Sequence, residues 1–249
     1  MTSVDTETAL GPPPVGYWSP EARDLINFVY QFWAHNRRPP NFLDIHAATG
    51  LSPRQTRRLF RELQDGFGLI AQDNIIGLSI AKAPPFSATP TTTAAFLDGA
   101  FLSYVGCPME VFTVGRLPPL EDKVLTARSY CACCATPIEL EIQGQDIRSV
   151  SPSRPLISVV RTPYENAGGV TPDIVCDGFH FVLDEEHADR FERQIARRGT
   201  TMTLEQAVQL TSDIGNRRMR DQHFALRLEA EPMISFLESI GVDVSVWQA

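Results

Sequence analysis

The chain has 249 residues, 43% of them hydrophobic, and a formal net charge of −8, which is enough apolar material for a real core in one large domain or two smaller ones. No apolar run approaches the ~18 residues of a spanning helix, and "MTSVDTETALGPPP" has neither the basic start nor the apolar core of a signal peptide, so a cytoplasmic protein with no membrane partner is expected. The acidic balance disfavours a large nucleic-acid footprint, and five cysteines, an odd count, point to thiol chemistry or soft-metal binding rather than a disulfide framework.

Residues 1–18 are polar and rich in Pro and Gly and read as a flexible arm. From there Ser19 caps a predicted helix with Pro20 at its first position and Leu25, Phe28, Val29, Phe32 and Trp33 on one stripe, ended by "RRPP". "FLDIHAATG" predicts a second helix closed by Gly50, and "LSPRQTRRLFREL" a third, with Ser52 as cap and Leu59, Phe60 and Leu63 inward. "LIAQDNIIGLSIA" reads as a hairpin. Three helices and a hairpin make a winged-helix-like lobe over 19–82, and Arg54, Arg57, Arg58 and Arg61 give its third helix a basic face. Residues 1–85 nevertheless hold eight Lys/Arg against eight Asp/Glu, so the lobe has no net pull on a phosphate backbone and DNA is not an expected partner.

After the Pro- and Thr-rich "KAPPFSATPTTT" the texture changes to strands: "AAFLDGAFLSYVG", "KVLTARSY", "PIELEIQ", "IRSVSP", "LISVVRT" and "DIVCDGFHFVLD". From about His187 the pattern is helical again, with "LEQAVQLTSDIG" and "EPMISFLESIG" each closed by glycine. The expected class is α+β: a helical lobe, a mostly antiparallel strand-rich core over 83–215, covering helices, and a helical extension over 216–249.

Three stretches carry chemistry. In "SYCACCATP", Cys131, Cys133 and Cys134 lack the second cysteine pair of a usual zinc site, which leaves a zinc or Cu(I) site or a packed turn. In "YVGCPMEVF", one turn sets Cys107 and Glu110 on the same side, a nucleophile beside a proton carrier. In "IVCDGFHFV", Cys176 and His180 are expected on one face of a strand, with Phe179 and Phe181 on the other.

Taken in order, these blocks resemble the organomercurial (alkylmercury) lyases over roughly residues 20–215. "DNIIGLSI" is similar to the family's wing strand, and "GCPMEVF" to its tryptophan-cysteine-x-x-aspartate motif. "SYCACCATP" is similar to its Ser-His-Cys-Ala-x-Thr-Gly strand region, and "CDGFHF" to its second catalytic cysteine with the following His-Phe. The resemblance implies protonolysis of a carbon–mercury bond in a detoxification role, with Cys107 and Cys176 binding the metal, Glu110 relaying the proton and Cys131 as scaffold. Met109, His180 and Phe181 would line the substrate site; the cluster Cys131, Cys133 and Cys134 is a candidate set of accessory thiols beside what the resemblance implies. It implies no cofactor, Hg(II) as bound product, and small thiols or a mercury-accepting dithiol protein as partners. This chain departs from the pattern at Glu110, where the family has aspartate, at Val105 and Gly106, where the tryptophan is absent, at Asp177 for a second cysteine, at Cys133 and Cys134, and in its tail after 215. Those departures motivate two alternatives: a thiol/carboxylate enzyme acting on another small electrophile in biosynthesis, and a soft-metal (Hg, Cu or Zn) binding protein or sensor.

Overall fold

A computed structural model describes residues 18–66, 68–74, 77–160, 176–215 and 230–248. The expected arm, apart from Trp18, and the first part of the C-terminal extension lie outside these residues. Trp18 is buried against the end of the third helix, where its ring leaves no room for a side chain at Gly68.

Helix α1 (Pro20–Asn36) starts where predicted: the Ser19 hydroxyl accepts from the Ala22 N–H, and Arg37 closes the helix in the left-handed region. Its buried face differs from the expected stripe. Leu25, Ile26, Val29, Tyr30 and Trp33 are buried, whereas Phe28 and Phe32 pack against each other at the rim, where the Arg38 guanidinium covers the Phe32 ring at 4.8 Å. Helices α2 (Phe42–Thr49) and α3 (Pro53–Asp65) both begin with capping boxes, at Asn41 and Ser52, and α3 buries Leu59, Phe60 and Leu63 as predicted.

The hairpin β1 (Ile70–Asn74) and β2 (Gly77–Ala83) follows and opens an eight-stranded antiparallel sheet. Its other strands are β3 (Phe86–Ser87), β4 (Ala94–Leu97), β5 (Ala100–Val105), β6 (Val124–Tyr130), β7 (Pro137–Gln143) and β8 (Asp146–Ser151), in the order β1-β2-β3-β5-β4-β6-β7-β8. "PIELEIQ" shows why the sequence was readable: Ile138, Leu140 and Ile142 are buried while Glu139 and Glu141 face out. The lobe and the sheet share one core, since Trp33 of α1 stacks on Phe86 of β3 with ring centroids 5.3 Å apart.

A second sheet holds β9 (Leu156–Val160) between β10 (Phe179–Val182) and β11 (Gly199–Met202), all antiparallel. Here the structure corrects the sequence reading. Cys176 is not on a strand: it precedes a turn at Asp177–Gly178, and β10 starts only at Phe179, so Cys176 and His180 do not share a strand face. The reason is local hydrogen bonding, because the Gly178 carbonyl accepts from Val160 N–H at the end of the ladder and the Asp177 carbonyl is engaged by His180 Nε2 at 2.8 Å. Strand β11, "GTTM", was not singled out from the sequence. Between the sheets and after them lie α4 (Glu110–Val114), α5 (Glu185–Ile195, capped by Asp184), α6 (Leu204–Gly215), α7 (Ala230–Ser239) and α8 (Ser245–Gln248). The class is therefore a mixed fold of helices and antiparallel sheets, as expected.

Candidate active site

Strand β5 ends at Val105, whose partner is Phe86, and the chain is held there by hydrogen bonds from Val105 N–H to Thr93 O (3.0 Å) and from Gly106 N–H to Pro85 O (3.2 Å). The next residues make one turn, closed by Glu110 N–H donating to Cys107 O at 3.0 Å, and continue as α4. Cys107 and Glu110 thus face the same side, as the spacing predicted, and the buried Val111, Phe112 and Val114 anchor the turn to the core.

Cys176 comes to this turn from the second sheet, held by the Asp177–Gly178 anchor. The ligand atoms of Cys107, Glu110 and Cys176 lie within 4.8 Å of one another, and among the described residues they are the only group of three such side chains so placed. The two cysteines are 4% and 7% exposed, and Oε2 of Glu110 is fully buried. Cys176 Sγ is 3.9 Å from Glu110 Oε1.

The electrostatics assign the resting protons in part. A hydrogen bond to Cys107, burial, and the negative charge of Glu110 hold the Cys176 thiol well above the ordinary cysteine range, so it is protonated at neutral pH. Against these, the Lys82 ammonium favours its thiolate. Lys82, on β2 and only 7% exposed, was not recognised from the sequence; a lysine inside "LSIAKAPPF" was the available signal. A buried thiol, a second thiol and a carboxylate together can hold a soft cation and move a proton beside it.

The other sequence candidates are elsewhere or adjacent. Met109, between Cys107 and Glu110 in the turn, is buried, and so is Phe181 on β10. The half-buried His180 packs edge-on against Phe191 at 4.7 Å, and burial lowers its pKa. Cys131 is fully buried in the turn before β7, where Ala132 N–H donates to Phe181 O and joins the two sheets, so its place is that of a packing residue. Cys133 is half-buried and Cys134 exposed. Hydrogen bonding to Thr136, with Oγ1 at 3.1 Å, brings the Cys134 thiol down to about 7, helped by Cys131 and by the charge of His187.

The sequence matches the family model described as alkylmercury lyase over residues 86–215. No curated protein matches it closely enough to count as a relative. Among solved structures the fold is similar to that described as the mercury-bound form of MerB2, with a TM-score of 0.61 and 20% identity, over 84% of this chain and 95% of that one. The matched residues run through the turn that carries Cys107 and Glu110 and on past Cys176 to the end of α6. Since that stretch is more than half of the 249 residues, this chain belongs to the alkylmercury lyase family and is an enzyme that cleaves carbon–mercury bonds.

Proposed function

We propose that Cys107 and Cys176 are the mercury-binding thiols of this enzyme and that Glu110 is its proton carrier. The observation that carries this reading is the meeting of the three side chains within 4.8 Å in a buried site. Hg(II) is soft and prefers sulfur, and a carboxylate in contact with a thiol can take its proton and return it elsewhere.

The reaction R–Hg–X plus two thiols gives R–H, HX and Hg(II) bridging two sulfurs. One thiol displaces X and its proton leaves with X. The other adds to mercury while its proton passes through Glu110 to the carbon of the breaking C–Hg bond, which keeps the electron pair of that bond and departs as hydrocarbon. Cys176, protonated at rest and 3.9 Å from Glu110 Oε1, suits the second role. The hydride-free, redox-neutral balance needs no cofactor, and Hg(II) bound to two sulfurs leaves by exchange with small thiols or a dithiol protein.

In this reading Met109 and Phe181 supply apolar wall to the organic group, with His180 at its edge. The lobe over 19–82 acts as a winged-helix-like support for the core over 83–215, with 216–249 as an extension. Its contact with Phe86 supports that role, and the equal numbers of basic and acidic residues over 1–85 argue against DNA. No helix among the described residues is long and apolar enough to cross a membrane. A thiol-rich cytoplasm suits an enzyme that must shed Hg(II) to external thiols.

A single-turnover assay with phenylmercury and excess thiol, detecting benzene, tests the reading. Release by the wild type that disappears in Cys107→Ser and in Cys176→Ser is expected. Unchanged release in either variant would remove that thiol from the mechanism.

A further inference from the structure

We propose that Gly106 is a positioning residue that makes room for the Glu110 carboxyl beside the Cys176 thiol, so that residue 106 and the length of the acid at 110 are a matched pair. The inference rests on the reading of Glu110 as proton carrier.

The reason for glycine at 106 is space rather than backbone conformation. Gly106 is not among the glycines with positive φ, so an L-residue can adopt its backbone. A Cβ built there would lie 2.2 Å from Glu110 Oε2, 3.1 Å from Glu110 Cδ and 3.1 Å from Cys176 Sγ. Other crowded glycines differ in kind: a Cβ at Gly115 would meet the Gly144 carbonyl oxygen at 2.7 Å and one at Gly199 the Val159 carbonyl oxygen at 2.5 Å, both backbone. Those two positions serve the architecture. At Gly106 everything met first is the reacting end of a site side chain, which can swing away without moving the fold.

The carboxyl of glutamate reaches one methylene further than that of aspartate, about 1.5 Å. That reach is what brings Oε2 into the space above residue 106. Shortening the acid by the same 1.5 Å turns the impossible 2.2 Å approach to a Cβ into ordinary van der Waals contact. An acid of either length therefore fits the site, but only the shorter one tolerates a side chain at 106.

The test is a two-by-two set of variants: wild type, Gly106→Ala, Glu110→Asp and the double variant. Single-turnover benzene release from phenylmercury, Hg(II) stoichiometry by thiolate-to-mercury absorbance and thermal melting are measured on each. Gly106→Ala should melt close to the wild type and still bind Hg(II), yet lose about a hundredfold in release, the scale of a 1 Å misplacement. Glu110→Asp should lose release in the glycine background and restore about tenfold or more in the alanine background, a reversal that a merely structural role for Gly106 would not produce. Gly106→Ala as fast as wild type, no recovery in the double variant, or a Gly106→Ala chain that fails to fold would each overturn the inference. Absence of release by the wild type would instead count against the lyase site itself, and unchanged release in Glu110→Gln against the proton carrier on which this inference rests.

Discussion

Glu110 Oε1 stands 3.9 Å from Cys176 Sγ, although the two residues are 66 positions apart, one at the start of α4 and the other just before β10. The thiol is kept protonated by its surroundings, so the contact places a transferable proton beside a carboxyl that can carry it. Glu110→Gln keeps the size of the side chain and removes its capacity to accept a proton. It should leave Hg(II) binding intact and slow benzene release by about 10²- to 10⁴-fold, the usual worth of general acid–base catalysis. Parallel measurement of mercury stoichiometry and hydrocarbon release separates the two effects, and equal loss of both would argue for a ligand role instead.

The thiols of the 131–136 turn should behave differently from the buried pair. Cys133→Ser with Cys134→Ser should retain most single-turnover release, because neither belongs to the group formed by Cys107, Glu110 and Cys176. Cys134 is exposed and its thiol titrates near 7, so its alkylation by iodoacetamide should rise with pH through a midpoint about there. Mass spectrometry of labelled peptides gives that curve. Removing the Thr136 hydroxyl by Thr136→Val should move the midpoint upward, since its hydrogen bond is the largest influence favouring the thiolate.

Lys82 is the positive charge that favours the Cys176 thiolate, and it comes from β2, outside the stretch matched to the family. Lys82→Met keeps a long side chain without the charge. The Cys176 pKa should rise further, so the pH at which mercury capture reaches half its maximum should move upward relative to wild type. A rapid-mixing measurement of the thiolate–mercury absorbance across pH reads this directly, and an unmoved profile would show that the charge is compensated by another group.

The stack of Trp33 on Phe86 predicts that the helical lobe does not unfold separately from the sheet. Both side chains are almost completely buried. Phe86→Ala should cost about 3–5 kcal/mol, a large share of the stability of an ordinary domain. Denaturant melts followed by far-UV circular dichroism and by tryptophan fluorescence should shift together; separate transitions would indicate two cooperative units.

What the sequence by itself determined is whatever depends on neighbours along the chain. Ser19, Asn41 and Ser52 cap helices because a side chain within three residues satisfies their orphan N–H groups, and the alternation in "PIELEIQ" sets which side of β7 is buried. Cys107 and Glu110 were legible as a pair for the same reason, since one turn joins them. The role of Cys176 was legible only through family resemblance, and the strand expected to include it begins only at Phe179, after a turn whose Gly178 carbonyl accepts from Val160 N–H, a partner the local pattern does not reveal. Only the tertiary structure decided that Cys176 meets the Cys107 turn, that a lysine from β2 lies within electrostatic reach, and that a Cβ at residue 106 would meet the carboxyl four residues on. The physical reason is that distances across two sheets, and the room left by a missing Cβ, are properties of packing in three dimensions and have no period along the chain.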